Sequence, residues 1–322
     1  GRERLMFRLA KALKRNGVLG INARNARYIL EYNERRNYPL VDDKALTKQV
    51  ALKHNVAVPD LYGMIEIQRQ VATLPDILAG HDDFVIKPAN GSQGEGILVI
   101  TGKTEGLYRK VDGALVTDED LKFLVTNILS GIYSLGGQPD KALIEYRVKF
   151  DPVFEDIAYR GVPDVRIIIF KGVPVMAMVR LPTRMSDGKA NLHRGCIGAG
   201  IDIATGYTLT AVWKNTIVTE HPDTGNPVSG VEIPQWSRLL KIASGAYEMT
   251  NLGYQGIDLV LDKERGPLLL ELNARPGLNI QIANREGLQA RLDKIEAYTG
   301  PLDTIAERVA FARGNFASRA IS

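Results

Sequence analysis

The chain has 322 residues, 45% of them hydrophobic and 24% charged, which is typical of a globular protein with one large domain or two to three small ones. The formal net charge is +4, with basic and acidic residues interspersed, so the pattern argues against a dedicated nucleic-acid binder and favours a small anionic substrate. A single cysteine excludes an internal disulfide framework, and no apolar run fits a membrane span or a signal peptide, so we expect a cytoplasmic location.

Hydrophobic periodicity predicts helices and strands that alternate along the chain. Helices are predicted at 5–13, from Asp42 as the capping residue to His54, from Asp118 to about Leu135, at 236–247 and at 301–313. Strands are predicted at 61–67, 84–87, 97–100, 142–148, 164–170, 173–181, 197–203, 256–261 and 267–272. This alternation without an internal repeat indicates an α+β or α/β enzyme rather than a solenoid or an all-β protein.

A glycine-rich segment separates the predicted strands at 84–87 and 97–100 and indicates a hairpin with a glycine-rich tip. Glycines let a backbone approach a ligand and turn its amides toward phosphate oxygens. The segment is neither a Walker loop nor a dinucleotide fingerprint, because strands flank it, and a flexible turn would have the same composition. Lys87 favours phosphate binding, since a lysine at the end of an apolar strand is costly to bury without an anion. The candidate phosphate ligands are Gly91, Ser92, Gln93, Gly94 and Gly96.

Three oxygen-bearing side chains lie on the last two predicted strands. Glu271 and Asn273 are two residues apart and share a face of their strand, while Asp258 lies on the neighbouring strand. Magnesium prefers one or two carboxylates together with phosphate oxygens and water. The alternative is that these are solvated residues on the polar face of a hairpin. The strand around Glu271 is apolar on both sides, so its carboxylate needs a partner, and we expect a site for magnesium or manganese.

Cations are concentrated in the predicted loop after the strand at 173–181. Arginine offers a fixed fork to phosphate and carboxylate groups, although a solvated basic loop is the alternative. A lone histidine in such a loop is more often structural than catalytic. The residues concerned are Arg180, Arg184, Lys189, Asn191, His193 and Arg194, with Arg275 just beyond the candidate metal ligands.

Cys196 is either a nucleophile or a buried packing residue. The chain has four histidines to activate a thiol, and the sequence around Cys196 is strand-like. A lone cysteine in such a run usually packs in the interior, which favours the second interpretation.

Taken in order, these segments resemble the motifs of the ATP-grasp superfamily, and more narrowly the alpha-L-glutamate ligase-like branch related to the ribosomal protein S6 modification enzyme. The resemblance implies an α+β (α/β) ATP-grasp fold, in which two α+β subdomains clasp ATP. The segments that carry it are Asp42–Lys44, Phe84–Pro88 with its glycine-rich tip, Leu143–Val148, Asp164–Arg166, Asn191–Gly195, Asp258 and Glu271–Leu278.

The resemblance also implies a role for each matching residue. Lys44 and Lys87 would hold the phosphates of ATP beneath the mobile glycine-rich loop. The adenine would meet the hinge at Glu145, Tyr146 and Val148, and the ribose carboxylate would be Asp151 or Glu155. The segment 151–161, which holds both candidates, departs from the shorter family pattern. The magnesium ligands would be Asp258, Glu271 and Asn273. The residues that face the γ-phosphate and the carboxylate substrate would be Arg180, Asn191, Arg194 and Arg275.

The expected organisation has four parts. Residues 1–80 would form a helical N-terminal segment and the first ATP-grasp part, 81–150 the glycine-loop subdomain, 151–290 the subdomain with the metal site, and 291–322 a helical tail. Such ligases carry a larger N-terminal domain, whereas 41 residues precede Asp42 here, so this segment is expected to be shortened. The acceptor site would then be completed by the segment after Gly287, by a homodimer partner or by another protein.

We therefore predict an ATP-dependent carboxylate-amine ligase that forms an acyl phosphate and releases ADP and phosphate. Its substrates would be a small-molecule or peptide carboxylate and an amine. The surplus cations favour an acidic, glutamate-like carboxylate: Arg180, Arg184, Lys189, Arg194 and Arg275. The alternatives are a phosphotransferase on the same fold and a noncatalytic nucleotide-binding module. The candidate metal ligands argue against the second of these.

Overall fold

A computed structural model describes residues 17–91 and 94–318. The predicted helix at 5–13 and the candidate ligands Ser92 and Gln93 lie outside the described residues. Among the helices that are described, none is long and apolar enough to cross a bilayer.

The strands are β1 (Leu61–Ile65), β2 (Phe84–Pro88), β3 (Leu98–Thr104), β4 (Leu107–Lys110), β5 (Leu115–Val116), β6 (Ala142–Glu145), β7 (Asp164–Phe170), β8 (Val173–Leu181), β9 (Ile197–Ile201), β10 (Thr208–Trp213), β11 (Thr216–Val218), β12 (Tyr254–Asp262) and β13 (Gly266–Asn273).

The α-helices are α1 (Ile21–Ala23), α2 (Leu30–Tyr32), α3 (Pro39–Asp42), α4 (Lys44–Lys53), α5 (Leu74–Ile77), α6 (Asp118–Leu129), α7 (Trp236–Thr250), α8 (Ile280–Asn284), α9 (Gln289–Ala297) and α10 (Ile305–Asn315). A π-helical segment, Arg24–Ile29, joins α1 to α2. Short 3-10 helices lie at Arg35–Asn37, Gln68–Thr73, Leu135–Gly137, Pro152–Phe154 and Leu192–Arg194.

The chain divides into two compact units. The first unit runs to Val41 and resumes at Phe150, and the second is Asp42–Lys149. Residues 61–80 belong to the second unit, because β1 pairs with β6. The observed division therefore differs from the four-part organisation expected from the sequence.

The second unit is built on an antiparallel six-stranded sheet with the order β1-β6-β2-β3-β4-β5. Successive residues along each strand point to opposite faces of the sheet. One face packs on α6 through a core that includes Phe84, Ile86 and Ile144. The opposite face meets α4 through Leu143 and Ala45. Lys87 and Glu145 therefore lie on the α4 side of the sheet.

The first unit is built on an antiparallel seven-stranded sheet with the order β11-β10-β9-β8-β7-β12-β13. Helix α7 packs on β7, β8, β12 and β13, where the buried Gln255 side chain donates to its backbone. Helix α8 packs on β8, β9 and β10. A Cβ atom on Gly200 would come within 2.6 Å of the Ala283 carbonyl of α8, so this glycine allows the close approach of helix and sheet.

Most predicted strands and helices are present, with two corrections. Helix α4 is capped by Asp43, whose Oδ1 accepts from the amides of Ala45 and Leu46, and not by Asp42, which ends α3. Helix α6 ends at Leu129 rather than near Leu135. Gly131 has φ +83, and a Cβ there would lie 2.2 Å from the Gln138 carbonyl oxygen, so the chain must leave the helix at this glycine.

Candidate functional site

The central feature of the first unit is a buried group of two carboxylates and two guanidinium groups, which we call the charged cluster: Asp164, Arg166, Arg180 and Asp258. Strand register brings them together, because Arg166 lies opposite Asp258 and Asp164 lies opposite Arg180. Opposed residues of an antiparallel sheet share a face. Alternation along β12 places Asp258 on the face opposite to Gln255, and therefore away from α7.

Fork-shaped hydrogen bonds hold the charged cluster. Arg166 donates from Nε to Asp258 Oδ1 at 2.7 Å and from Nη2 to Oδ2 at 2.6 Å. Arg180 donates to both oxygens of Asp164 and, from Nη2, to Asp258 Oδ2 at 2.7 Å. Each buried charge is thus paired with an opposite one, as burial requires. Arg180, predicted to face the substrate, is engaged by two carboxylates.

The two carboxylates of the charged cluster differ in acidity. Burial raises the pKa of Asp164 to about 6, against the effect of Arg180, and the charge of Asp258 adds to the rise. Burial alone would also raise the pKa of Asp258, but Arg166 and Arg180 outweigh it and hold that pKa at about 2. Asp258 is therefore ionised at neutral pH, and the pKa of Asp164 is the higher of the two.

The candidate metal ligands lie on one face at the edge of this sheet. Asp258 is the register partner of Glu271, and Asn273 lies two residues beyond Glu271 on the same strand. Opposed side chains have Cβ atoms roughly 5 Å apart, close enough for two carboxylates to share an ion. Asp258 Oδ1 accepts one hydrogen bond and keeps a second lone-pair direction. The residues thus fit a magnesium ion that is completed by phosphate oxygens and water.

A hydrogen bond joins the backbone of Arg275 to the side chain of Asn273. The amide of Arg275 donates to Asn273 Oδ1 at 2.8 Å, and its exposed guanidinium lies 5.6 Å from the ring centroid of Tyr38. Among the described residues, no group of three His, Cys, Asp or Glu side chains is close enough to form a metal site. The amide oxygen of Asn273 would have to serve as one of the protein ligands.

Asn191 precedes a short 3-10 helix beside β9, and Arg194 is the last residue of that helix. Asn191 Oδ1 accepts from the amide of His193 at 2.9 Å and caps the turn Leu192–Arg194. Arg194 lines a cavity of about 410 Å³ next to this turn. That volume lies in the usual range for small-molecule sites. Asn191 therefore shapes the turn, and Arg194 is the predicted residue that reaches an open space.

Cys196 is a packing residue, as expected. It is 1% exposed, and burial raises the pKa of its thiol to about 12. A neutral thiol is a poor nucleophile. Cys196 lies on the floor of the same cavity without the chemistry of a catalytic cysteine.

The second unit holds a buried group formed by two lysines and one glutamate, which we call the lysine clamp: Lys48, Lys87 and Glu145. Lys48 Nζ lies 2.8 Å from Glu145 Oε2 and donates to the Pro59 carbonyl, and Lys87 pairs with Oε1 of the same carboxylate. Burial would raise the pKa of Glu145, but Lys87 and Lys48 outweigh it and lower that pKa. The Glu145 carboxylate is thus occupied by lysines.

Sequence reasoning missed Lys48, although a signal was available. Lys48 follows Lys44 by four residues, so the two lie on one side of α4. Lys44 itself donates from Nζ to the Gly91 carbonyl at 2.9 Å. The predicted phosphate lysine therefore contacts the glycine-rich segment directly.

Two glycines of the glycine-rich segment have backbone conformations that other residues rarely adopt. Gly96 has φ +70, and a Cβ there would come within 2.6 Å of the Tyr133 ring. Gly94 also has a positive φ, +74. A side chain at either position would be strained.

The predicted hinge and ribose residues belong to different compact units. Glu145, Tyr146 and Val148 lie at the end of the second unit, where the Tyr146 amide donates to the Asp60 carbonyl at 2.8 Å. Asp151 and Glu155 lie in the first unit. Asp151 caps a 3-10 helix by accepting from the Val153 amide, and Glu155 is exposed. Of the two candidates for the ribose, Glu155 is the more open to solvent.

A family model described as sugar-transfer associated ATP-grasp matches residues 23–297. The chain belongs to this family. Membership confirms the predicted superfamily and the α+β ATP-grasp fold, while the narrower likeness to the alpha-L-glutamate ligase-like branch stays a prediction. A comparison with curated proteins finds no match.

Several solved structures are similar to this chain at low sequence identity. The ATP-grasp ligase PsnB, complexed with a minimal precursor, is 14% identical with a TM-score of 0.45, and the match covers 84% of this chain and 63% of that one. The D-cycloserine synthetase DcsG is 16% identical with a TM-score of 0.44, covering 84% and 71%. D-alanine–D-alanine ligase from Bacillus anthracis is 14% identical with a TM-score of 0.43, covering 86% and 70%. The chain thus spans less than two thirds of the PsnB structure.

Proposed function

We propose that the chain is an ATP-dependent ligase that activates a carboxylate as an acyl phosphate, joins it to an amine and releases ADP and phosphate. The observation that carries the proposal is the placement of Asp258, Glu271 and Asn273 on one face of adjacent strands, beside two buried arginines, in a chain of the ATP-grasp family. This set of oxygen ligands suits a metal ion that is shared with nucleotide phosphates.

Residues of the second unit would bind the nucleotide phosphates. Lys44 donates to the carbonyl of Gly91 in the glycine-rich segment, and Lys87 is held by the Glu145 carboxylate, so each ammonium group has a fixed partner. A fixed ammonium group stabilises phosphate charge without the cost of ordering a free side chain. The glycine backbone would add amide donors.

Residues of the first unit would bind magnesium and orient the reacting carboxylate. Glu271, Asn273 and the remaining lone pair of Asp258 would hold the ion, whose chemistry is to neutralise charge on the transferred phosphoryl group. Arg166 and Arg180 fix Asp258, and Arg275 extends from the same edge of the sheet. Arg194, which lines the cavity beside β9, is a candidate for another acidic group of the substrate.

The chemistry requires no protein nucleophile. A carboxylate oxygen attacks the γ-phosphorus, the bond to the β,γ-bridging oxygen breaks, and ADP leaves with that electron pair. The amine then attacks the acyl carbon and phosphate leaves. The neutral, buried thiol of Cys196 accords with a direct transfer of this kind.

The substrate class follows from charge and from the family. The cations Arg184, Lys189 and Arg194 favour an acidic carboxylate such as glutamate or an acidic peptide end, in line with the alpha-L-glutamate ligase-like resemblance. Because the family is described as sugar-transfer associated, candidate substrates also include molecules in which the carboxylate or the amine belongs to a sugar. Both kinds of substrate use the same acyl-phosphate chemistry.

A hydroxylamine trap tests the proposal without knowledge of the amine. The protein is incubated with ATP, Mg²⁺ and hydroxylamine over a panel of carboxylates that includes amino acids, acidic peptides and uronic acids. A hydroxamate formed together with ADP identifies the activated carboxylate. AMP and pyrophosphate would contradict the acyl-phosphate step, and a stable phosphorylated product would indicate a phosphotransferase.

A further inference from the structure

The cavity beside Arg194 differs in chemistry from the charged cluster. Its polar lining is cationic or neutral: Arg194, His193 and Lys214, with the amides of Asn215 and Asn279. Among the described residues that line it, none is acidic. Val212, Leu192 and Ile282 supply apolar walls. Such a lining suits an anionic group carried on a partly apolar molecule.

Strand register fixes where this cavity lies relative to the candidate metal ligands. Val212 is the register partner of Gly198, and Gly198 is the partner of Arg180, so the cavity floor and the charged cluster share one face of the sheet. Gly198 lies on β9 and Asp258 on β12, with β8 and β7 between them. Neighbouring strands are about 4.8 Å apart, so three spacings separate the two strands by roughly 14 Å across the sheet.

A reacting carboxylate beside Asp258 therefore cannot itself fill the cavity. On this basis, and resting on the proposed function, we propose that the cavity binds a second acidic group of an extended substrate, roughly 14 Å from the carboxylate that is activated. The substrate is thus a long polyanion rather than a single amino acid. An extended peptide advances about 3.5 Å per residue, so an acidic tetrapeptide spans this distance.

Lys214 is the residue that tests the inference. It is exposed, lies in a two-residue turn with Asn215 and has its ammonium group 4.6 Å from the ring centroid of Trp213. The chain offers a matched control in Lys171, which lies in the turn after β7 with its ammonium 4.9 Å from the Tyr32 ring. Both lysines have φ +49, and Lys171 does not line the cavity.

The experiment measures ADP release against a length series from glutamate to tetraglutamate, and against glucuronic acid and UDP-glucuronic acid. In the series that resembles the true substrate, the half-saturating substrate concentration should be about tenfold or more lower for the longest member than for the shortest. A gain of this size is expected for one charged hydrogen bond. Lys214→Met should reduce that ratio to about threefold or less, and Lys171→Met should leave it unchanged. The series that shows this fall with length indicates whether the substrate is a peptide or a sugar nucleotide.

Calorimetric titration with tetraglutamate and UDP-glucuronic acid, without ATP, separates this inference from the proposed function. Binding that Lys214→Met weakens and Lys171→Met does not would support the cavity site even if no carboxylate releases ADP, in which case only the ligase proposal falls. ADP release that is independent of length, with no Lys214-dependent binding, would overturn the cavity inference and leave the ligase proposal standing. Equal losses in both lysine variants would also overturn it.

Discussion

At the residue scale, Asp258 pairs with Arg166 and Arg180 and is also a candidate metal ligand. Its removal would leave two buried guanidinium groups with one carboxylate between them. Removing one partner of a buried ion pair costs about 3–5 kcal/mol. Loss of activity in an Asp258 variant would therefore not distinguish a metal role from a folding role.

Glu271→Gln is the cleaner test of the metal site. We expect Glu271→Gln to lower turnover by about a hundredfold or more, since the loss of one charge interaction of about 3 kcal/mol in the transition state has that effect. Glu271 is half-buried and Asp258 is buried against two arginines, so Asp258→Asn should lose several kcal/mol of its free energy of unfolding and Glu271→Gln should lose less. Steady-state kinetics and urea unfolding of both variants measure this. Near-normal turnover of Glu271→Gln at saturating Mg²⁺ would contradict a metal role for Glu271.

Cys196 yields a second residue-scale prediction. Its pKa of about 12 leaves roughly a thousandfold less thiolate at neutral pH than an ordinary thiol, so the native protein should resist iodoacetamide. Labelling followed by mass spectrometry should show modification only after denaturation. Rapid modification of the native protein would mean that the thiol is accessible and activated.

At the element scale, α4 supports the glycine-rich segment from one side of the six-stranded sheet. Its first residue, Lys44, contacts Gly91, and one turn later Lys48 joins the lysine clamp. The clamp ties α4 to β6 and β2 through the Glu145 carboxylate. Glu145 would thereby hold Lys87 in the position proposed for phosphate binding.

Glu145→Gln should destabilise the protein by about 3 kcal/mol or more at pH 7, because it leaves two buried ammonium groups without a counterion. The exposed pair of Glu119 and Lys122 is the control, and Glu119→Gln should cost less than about 0.5 kcal/mol. The folded-state pKa of Glu145 is lowered, so its contribution is present above the unfolded pKa of about 4.3 and is lost as pH falls below it. Urea unfolding from pH 7 to pH 3 should show the difference from wild type shrinking. A constant difference over that range would contradict the ion-pair assignment.

The hairpin β7–β8 and the strands β12 and β13 could be predicted from the sequence because they are continuous apolar runs bounded by turn residues. The strands β4, β5, β10 and β11 were missed, since they are short, mixed in polarity and defined by pairing with neighbours rather than by composition. The sequence places Asp258 on the strand next to Glu271, but their direct opposition depends on the register shift between Asp258 and Leu259, which spacing does not reveal. The pairing of Asp258 with Arg166 likewise depends on register across β7.

At the scale of the whole molecule, each compact unit carries its own buried ionic group, the lysine clamp in one and the charged cluster in the other. A buried ionic group is retained only where opposite charges offset the loss of hydration. In both groups a candidate ligand, Lys87 or Asp258, is positioned by oppositely charged residues. We infer that each group orders one part of the proposed ligase chemistry, binding of the phosphate by Lys87 and of the metal by Asp258.

The central claim is that the carboxylate itself attacks the γ-phosphate of ATP. The most direct measurement uses the carboxylate identified by the hydroxamate panel, labelled with ¹⁸O in both oxygens, together with ATP, Mg²⁺ and the amine. The account predicts that each phosphate released carries one ¹⁸O atom, detected by mass spectrometry or by the ³¹P isotope shift, and that ADP forms in equal amount. Amide formation with unlabelled phosphate, or with pyrophosphate and ¹⁸O-labelled AMP in place of ADP and labelled phosphate, would contradict it.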